Sequence, residues 1–215
     1  MYTYILFDLD GTLTDPKEGI TKSVQHALRY FGQKVTDLDS LCSYIGPPLA
    51  ESFVRYGGIP ENEAQVAVEK YREYFGAKGI YENKRYDGTM EALQALQAAG
   101  RTIVLATSKP TVYAVEILKH FGIYEYFAFV AGSELSGARV KKAEVIEYAL
   151  SNVGVTDRTQ AVMIGDREHD IFGARAAGLT SIGVLHGYGG REELERAGAD
   201  VILEDMAAVQ AWLLG

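Results

Sequence analysis

The sequence predicts an α/β fold, a doubly wound parallel sheet with helices on both faces, interrupted by an inserted helical domain. Three observations carry that prediction. Short β-branched or apolar runs alternate with helix-period segments along most of the chain. Glycines stand just after several of those segments (Gly100, Gly122, Gly154, Gly178), where helices commonly end. One long stretch near the N-terminus breaks the alternation and reads as helix only.

Taken in order, Thr3–Phe7 is the first strand, followed by Thr102–Ala106, Phe127–Ala131, Ala161–Ile164, Thr180–Val184 and Val201–Leu203. Each is a short run able to sit buried on both faces, as strands of a parallel sheet do. Between them, Thr89–Ala99, Thr111–Phe121, Lys142–Asn152 and Ile171–Ala177 carry the helical period. From about Asp15 to Arg85 the pattern is helical at Lys17–Phe31, Pro48–Tyr56 and Glu61–Gly76. Breakers at Gly46-Pro47-Pro48 and Gly57-Gly58-Ile59-Pro60 separate these helices. An excursion of roughly 70 residues is too long for an ordinary loop. The expected organisation is a Rossmann-like core over residues 1–14 and 86–215, with a helical cap over 15–85.

Composition narrows the function classes. The chain has 215 residues, 47% of them hydrophobic, which suits a sizeable core with an appendage. A net charge of −8 disfavours nucleic acid polymers or an anionic membrane as partners, though not a small anionic substrate. Cys42 is the single cysteine, so neither an intrachain disulfide nor a cysteine zinc cluster is available. No apolar run approaches membrane-spanning length and the first residues do not read as a signal peptide, so a cytoplasmic protein is expected. Oligomeric state is not readable.

The chemistry gathers where strands end, the place where ligands bind in doubly wound sheets. Strand one runs into Asp8-Leu9-Asp10-Gly11-Thr12, and strand two into Thr107-Ser108-Lys109. A further strand ends in Gly165-Asp166-Arg167-Glu168-His169-Asp170, and Lys141-Lys142 opens a helix. Two aspartates one residue apart are costly to desolvate, so something positive or reactive belongs between them. In an extended chain they face the same way about 7 Å apart, and can flank one phosphoryl group without sharing a proton. One carboxylate can attack phosphorus, and the other can protonate the leaving oxygen and later activate water. Gly11 lets backbone N–H groups approach phosphate oxygens. Mg²⁺ fits the charge balance, with Asp8, Asp166 and a backbone carbonyl as oxygen ligands. Lys142 or Lys141, with the Thr107 hydroxyl, would hold the phosphate.

Each motif also has a plainer reading. Aspartate before glycine is ordinary turn chemistry, and Thr107-Ser108 ahead of Pro110 suits a helix cap. Lys141-Lys142 suits a solvated helix start, and Gly165-Asp166 with Asp170 a turn and cap. His169 is more in keeping with a structural hydrogen bond, and His26, His120 and His186 have no partners at metal-binding spacing. The order of the motifs, each at an end of one sheet, favours the joint chemical reading.

FDLDGTLTD, LATSKP, VKKAEVIEYAL and MIGDREHDIFGARAAG resemble, in order, the four motifs of the haloacid dehalogenase superfamily of aspartate-nucleophile phosphatases. The insert after the first motif resembles that superfamily's helical cap, and the nearest resemblance is to phosphoglycolate phosphatase-like proteins, including 5′-nucleotidases. The resemblance implies Asp8 as nucleophile and metal ligand, and Asp10 as acid/base whose backbone carbonyl also binds Mg²⁺. It implies Thr107, Ser108 and Lys142 as phosphate-binding, Asp166 as metal ligand and Asp170 as a supporting carboxylate. The lysine here is followed by Ala143 where the family often has proline, so Lys141 stays open beside Lys142. Asp10 speaks against dehalogenation, because true dehalogenases lack that second aspartate.

The expected function is therefore Mg²⁺-dependent hydrolysis of a small phosphorylated metabolite. A phosphosugar mutase is the alternative, and a non-catalytic regulatory module a more remote one. Substrate choice is assigned to the cap near Gly46, Pro47 and Leu49. The aromatics Tyr71, Tyr74 and Phe75 suit cap core better than a stacking platform for a nucleobase.

Overall fold

A computed structural model describes residues 1–215. The chain forms two compact units, Met1–Asp15 with Arg85–Gly215, and Pro16–Lys84. The first holds a six-stranded sheet. Its strands are β1 (Tyr4–Phe7), β4 (Thr102–Pro110), β5 (Phe127–Ser133), β6 (Ala161–Gly165), β7 (Thr180–Val184) and β8 (Val201–Leu203), in the order β5-β4-β1-β6-β7-β8. All pairings among them are parallel. Two further strands, β2 (Thr14–Asp15) and β3 (Lys84–Arg85), pair as a separate two-stranded sheet. The sequence shows no strand at either place, since two residues are too few to display a period.

The first unit also holds six helices: α4 (Thr89–Ala98), α5 (Thr111–His120), α6 (Lys142–Asn152), α7 (Glu168–Ala176), α8 (Gly190–Ala197) and α9 (Met206–Leu214). Side chains of the central strands alternate between the two faces, so both must be covered. Leu6, Val104 and Met163 pack with Val145, Ile146 and Ala149 of α6 and Ala174 of α7. Their neighbours Ile5, Phe7, Ile103 and Leu105 are as deeply buried on the other face. Truncating such a residue to alanine costs about 2–5 kcal/mol, because the cavity only partly collapses.

Three expectations need correction. Strand two was expected to stop at Ala106, and it runs on to Pro110. Ala106 pairs with Ala131 and Pro110 with Ser133, so β4 spends four steps where β5 spends two. This bulge re-aims the residues it contains. The helix expected from Ile171 starts at Glu168, because Asp170 accepts a hydrogen bond from the Arg167 backbone N–H (3.1 Å) and closes a polar first turn without helical period. Helices α8 and α9 lie outside the segments read as helical. α8 buries only Leu194 and Ala197, too little for a visible stripe, and α9 is apolar nearly all round.

The second unit is helical: α1 (Lys17–Tyr30), α2 (Leu49–Arg55) and α3 (Ala64–Tyr74), with a 3₁₀ turn over Asp39–Tyr44 and a π-helical turn over Phe75–Gly79. α1 turns Ile20, Val24, Ala27 and Leu28 inward at helical spacing. Tyr71 and Phe75 are buried in this unit and stack at 5.3 Å. These two are core, as their spacing suggested, whereas Tyr74 is half-buried and its hydroxyl donates to Glu82 at 3.3 Å. α1 and the π-helical turn also approach through glycine: a Cβ on Gly19 would sit 1.9 Å from the Gly79 carbonyl oxygen.

Candidate active site

The register of the sheet places the site. Phe7 pairs with Leu105 on one side and Ile164 on the other. Asp8 therefore emerges level with Ala106 and Gly165, and the next residues out are Thr107 and Asp166. β1 is also the switch point, because the chain leaves it first toward β4 and β5 and later returns to its other edge through β6. Segments far apart in sequence thus deliver polar side chains to one carboxyl-terminal edge.

Four carboxylates converge there, on Asp8 (4% exposed), Asp10 (7%), Asp166 (0%) and Asp170 (1%). Two ammonium groups face them. Lys142 Nζ lies 2.8 Å from both Asp8 Oδ1 and Asp170 Oδ1, and donates to the Ala106 carbonyl at 3.1 Å. Lys109 Nζ lies 2.8 Å from Asp10 Oδ2. Of the two adjacent lysines, Lys142 is inside, and Lys141 is an exposed residue ahead of α6. Gly173 of α7 clears the way for the Lys142 stem, since a Cβ there would come within 2.7 Å of it.

Burial raises the pKa of Asp166 well above the usual carboxylate value, and the neighbouring charges of Asp170 and Asp8 push it further. Burial also raises Asp170, against the pull of Lys142, and Asp10, against the pull of Lys109. For Lys142 burial works the other way, but Asp170 and Asp8 outweigh it and hold the ammonium firmly charged.

Ligand atoms of Asp8, Asp166 and Asp170 all lie within 4.8 Å of one another, and Asp10 is outside that group. With all six charged, the cluster carries two more negative than positive charges, the deficit a divalent cation offsets. Asp10 Oδ1 is buried without a hydrogen-bond partner. An all-oxygen donor set suits Mg²⁺. The residues fit the metal.

The backbone around Asp166 is cleared by glycine. A Cβ on Gly11 would stand 2.2 Å from Asp166 Oδ2, and one on Gly187 would stand 2.3 Å from Asp166 Cβ. Asp166 accepts hydrogen bonds from the Tyr188 backbone N–H (2.8 Å) and the Thr12 hydroxyl (3.4 Å). Thr107 is buried, and its hydroxyl accepts from the Lys109 backbone N–H at 3.3 Å, inside the β4 bulge. Neither Thr107 nor Ser108 caps α5, whose first turn follows Pro110 without a side-chain cap. Ser108 is half-buried, and its carbonyl accepts from the Ser133 hydroxyl at 2.7 Å. Gly46 (φ 102°), Pro47 and Leu49 belong to the helical unit and are half-buried there.

Sequence reasoning missed two features. Lys109 carries an ion pair with Asp10 that only the bulge makes reachable, and its signal was the strand-end TSK itself. The loop His186-Gly187-Tyr188-Gly189-Gly190 after β7 wraps Asp166, and its signal was a glycine cluster at one more strand end.

Known proteins resemble this chain along nearly its whole length. The family model described as haloacid dehalogenase-like hydrolase matches residues 5–184. A 5′-nucleotidase of Pseudomonas aeruginosa is 46% identical over 209 residues, covering 97% of this chain and 94% of that protein. The tyrosine-protein kinase PtkA of Mycobacterium tuberculosis is 37% identical over 198 residues, covering 92% of this chain and 67% of that protein. The crystal structure of a predicted phosphatase from Clostridium acetobutylicum superposes with a TM-score of 0.97 at 47% identity, covering 100% of this chain and 99% of that one. The chain belongs to the haloacid dehalogenase-like hydrolase family.

Proposed function

We propose that the protein is a Mg²⁺-dependent phosphomonoester hydrolase of small phosphorylated metabolites, acting through a phosphoryl group carried on Asp8. One observation supports this above the rest: the two motif-one aspartates occupy different electrostatic settings. Asp8 shares its surroundings with Asp166, Asp170 and Lys142, whereas Asp10 stands apart with Lys109.

In that reading an Asp8 oxygen attacks phosphorus and the bond from phosphorus to the leaving oxygen breaks. Asp10 gives its proton to the leaving oxygen, and burial, which raises its pKa, suits it to carry one. Water then enters, Asp10 takes its proton, and the resulting hydroxide attacks phosphorus. The bond to Asp8 breaks, releasing inorganic phosphate and restoring the free carboxylate. Asp8, Asp166 and the Asp10 carbonyl would hold Mg²⁺, with Asp170 in support. When bound, the ion offsets the negative charge of phosphoryl group and carboxylates. Lys142, Thr107, Ser108 and the backbone around Gly11 hold the phosphoryl oxygens.

Choice of leaving group is assigned to the helical unit as a cap, at Gly46, Pro47 and Leu49. The 5′-nucleotidase relative makes nucleoside monophosphates the first substrates to try, with phosphoglycolate beside them. The test is phosphate release from a panel of both, plus hexose phosphates and an aryl phosphate, with Mg²⁺ and with EDTA. Release that needs Mg²⁺ supports the reading. Undiminished release after exhaustive chelation removes the metal, and isomerised sugar phosphate without free phosphate makes the protein a mutase.

A further inference from the structure

We propose that Tyr188 is a positioning residue for Asp166, anchored by Asp15 at the point where the chain leaves the sheet-bearing unit. The inference rests on the proposed function only in taking Asp166 as a ligand of a divalent cation.

The argument starts from a conflict in the loop after β7. Its backbone must approach Asp166 so closely that side chains are excluded. A Cβ on Gly189 would sit 2.2 Å from the Asp166 carbonyl oxygen, and Gly187 meets the Asp166 side chain just as closely. Glycine solves the steric problem and creates another, because glycine-rich backbone has the most freedom to lose. Yet this same loop supplies the 2.8 Å backbone N–H bond to Asp166 Oδ2. Across Gly187-Tyr188-Gly189-Gly190 only Tyr188 has a side chain with which to hold the loop.

That side chain is tied down. The Tyr188 hydroxyl donates a hydrogen bond to Asp15 Oδ1 on β2, and the Tyr86 hydroxyl is hydrogen-bonded to it as well. Tyr86 follows β3, where the chain returns, and its backbone N–H donates to the Leu13 carbonyl at 3.1 Å. The Tyr86 ring lies 4.4 Å from that of His186, whose Nε2 is 2.9 Å from the Thr12 carbonyl oxygen. Thr12 in turn donates its hydroxyl to Asp166 Oδ1. Both oxygens of Asp166 are therefore oriented by groups that trace back to one network, Asp15–Tyr188–Tyr86–His186. Such outer partners of a metal-binding carboxylate set its direction, and losing one typically weakens metal affinity by about 10–100-fold.

The test is calorimetric titration of Mg²⁺ alone into the metal-free full-length chain, with melting temperature measured beside it. Tyr188→Phe keeps the backbone N–H and loses the anchor, and should weaken Mg²⁺ binding by about tenfold. Asp15→Ala breaks the same bond from the other side and serves should the first variant not fold. The double variant should bind no more weakly than either single one, because both remove one interaction. Asp15→Asn retains an acceptor oxygen and should recover most of the affinity. Equal Mg²⁺ affinity in wild type and both single variants, even with lowered melting temperatures, overturns the inference and leaves the proposed function standing. Strictly additive losses overturn it too, since the residues would then act separately. A wild-type chain that binds no Mg²⁺ removes the metal site itself, and both readings with it.

Discussion

The two units handle their charged groups in opposite ways. In the helical unit, ion pairs such as Lys17–Asp39 and Lys70–Glu73 stand in solvent. Its buried hydroxyls of Thr21 and Ser23 bond to carbonyls of their own helix, at 2.6 Å each. Buried atoms there without a hydrogen-bond partner include the neutral hydroxyls of Tyr44 and Ser52. In the sheet-bearing unit, four carboxylates and two lysines are packed at the strand ends with almost no exposure. Charges buried in this way are a weak source of stability and a strong indicator of chemistry. The comparison teaches where charge is kept in solvent and where it is gathered and buried: the first in the helical unit, the second at the strand ends.

The sharpest way to break that comparison is at Asp8. Asp8→Asn should cut phosphate release more than about a hundredfold while circular dichroism stays native, because an amide is a poor nucleophile and a poor Mg²⁺ ligand. A variant with substantial turnover would mean the buried charges are not the reacting ones.

Asp10→Asn comes next, with a loss of about 10²–10⁴-fold, the usual worth of a positioned proton donor. The loss should shrink for nitrophenyl phosphate, whose leaving group needs little protonation. An equal loss across leaving groups would point to a structural role for Asp10.

The third prediction concerns stability and pH. Asp166 has a raised pKa in the folded protein, chiefly from burial. The folded state therefore binds this proton more tightly than the unfolded chain, and stability falls as pH rises between the two pKa values. The penalty is absent below the unfolded carboxylate range and complete above the raised value. Asp166→Asn should accordingly melt higher than wild type in the absence of metal at neutral pH. Each ~1 kcal/mol gained is worth roughly 2–4 °C in a protein of this size. The gap should close as pH falls below about 4, the ordinary carboxylate value. Saturating Mg²⁺ should reverse the ranking at neutral pH, since only wild type gains full binding energy. A gap that does not change between neutral pH and pH 4 would remove burial of charge as its cause.

The smallest effect belongs to the helical unit. Lys70→Ala removes an exposed ion pair with Glu73 and should leave both melting temperature and turnover unchanged within error. A clear loss of activity there would show that the solvated charges of the helical unit take part in turnover.

Much of the fold was legible because its strands and helices obey clean local rules. Thr180–Val184, Val201–Leu203 and Lys142–Asn152 have the same limits in sequence and structure. The misses lie where tertiary structure overrides local pattern. A strand bulge such as that between Ala106 and Pro110 has no periodic signature, so β4 was cut short and Lys109 went unassigned. Tyr188 was invisible for another reason. Its partners Asp15 and Tyr86 lie far away in the chain, and no spacing rule relates a glycine-rich loop to the ends of an insert. Lys142 is buried and Lys141 exposed, and burial at a helix start cannot be read from two adjacent lysines.

The pairing of β2 with β3 bears on how such a chain folds. Tyr4 must find Thr102 on one side and Ala161 on the other, so the central strand waits for partners that are remote along the chain. Non-local pairing of this kind is slow, because closure entropy is lost before contacts repay it. The helical unit, Pro16–Lys84, lies wholly within the first of those two loops. Its ends are brought together by two short paired strands. Once it has folded, the search that joins β1 to β4 is that of a much shorter loop. Even unfolded, added loop length is penalised only logarithmically, about 0.6 kcal/mol per doubling. An insert closed at its neck is thus nearly invisible to the assembly of the sheet, which leaves its length and sequence free to diverge while the strand ends stay fixed.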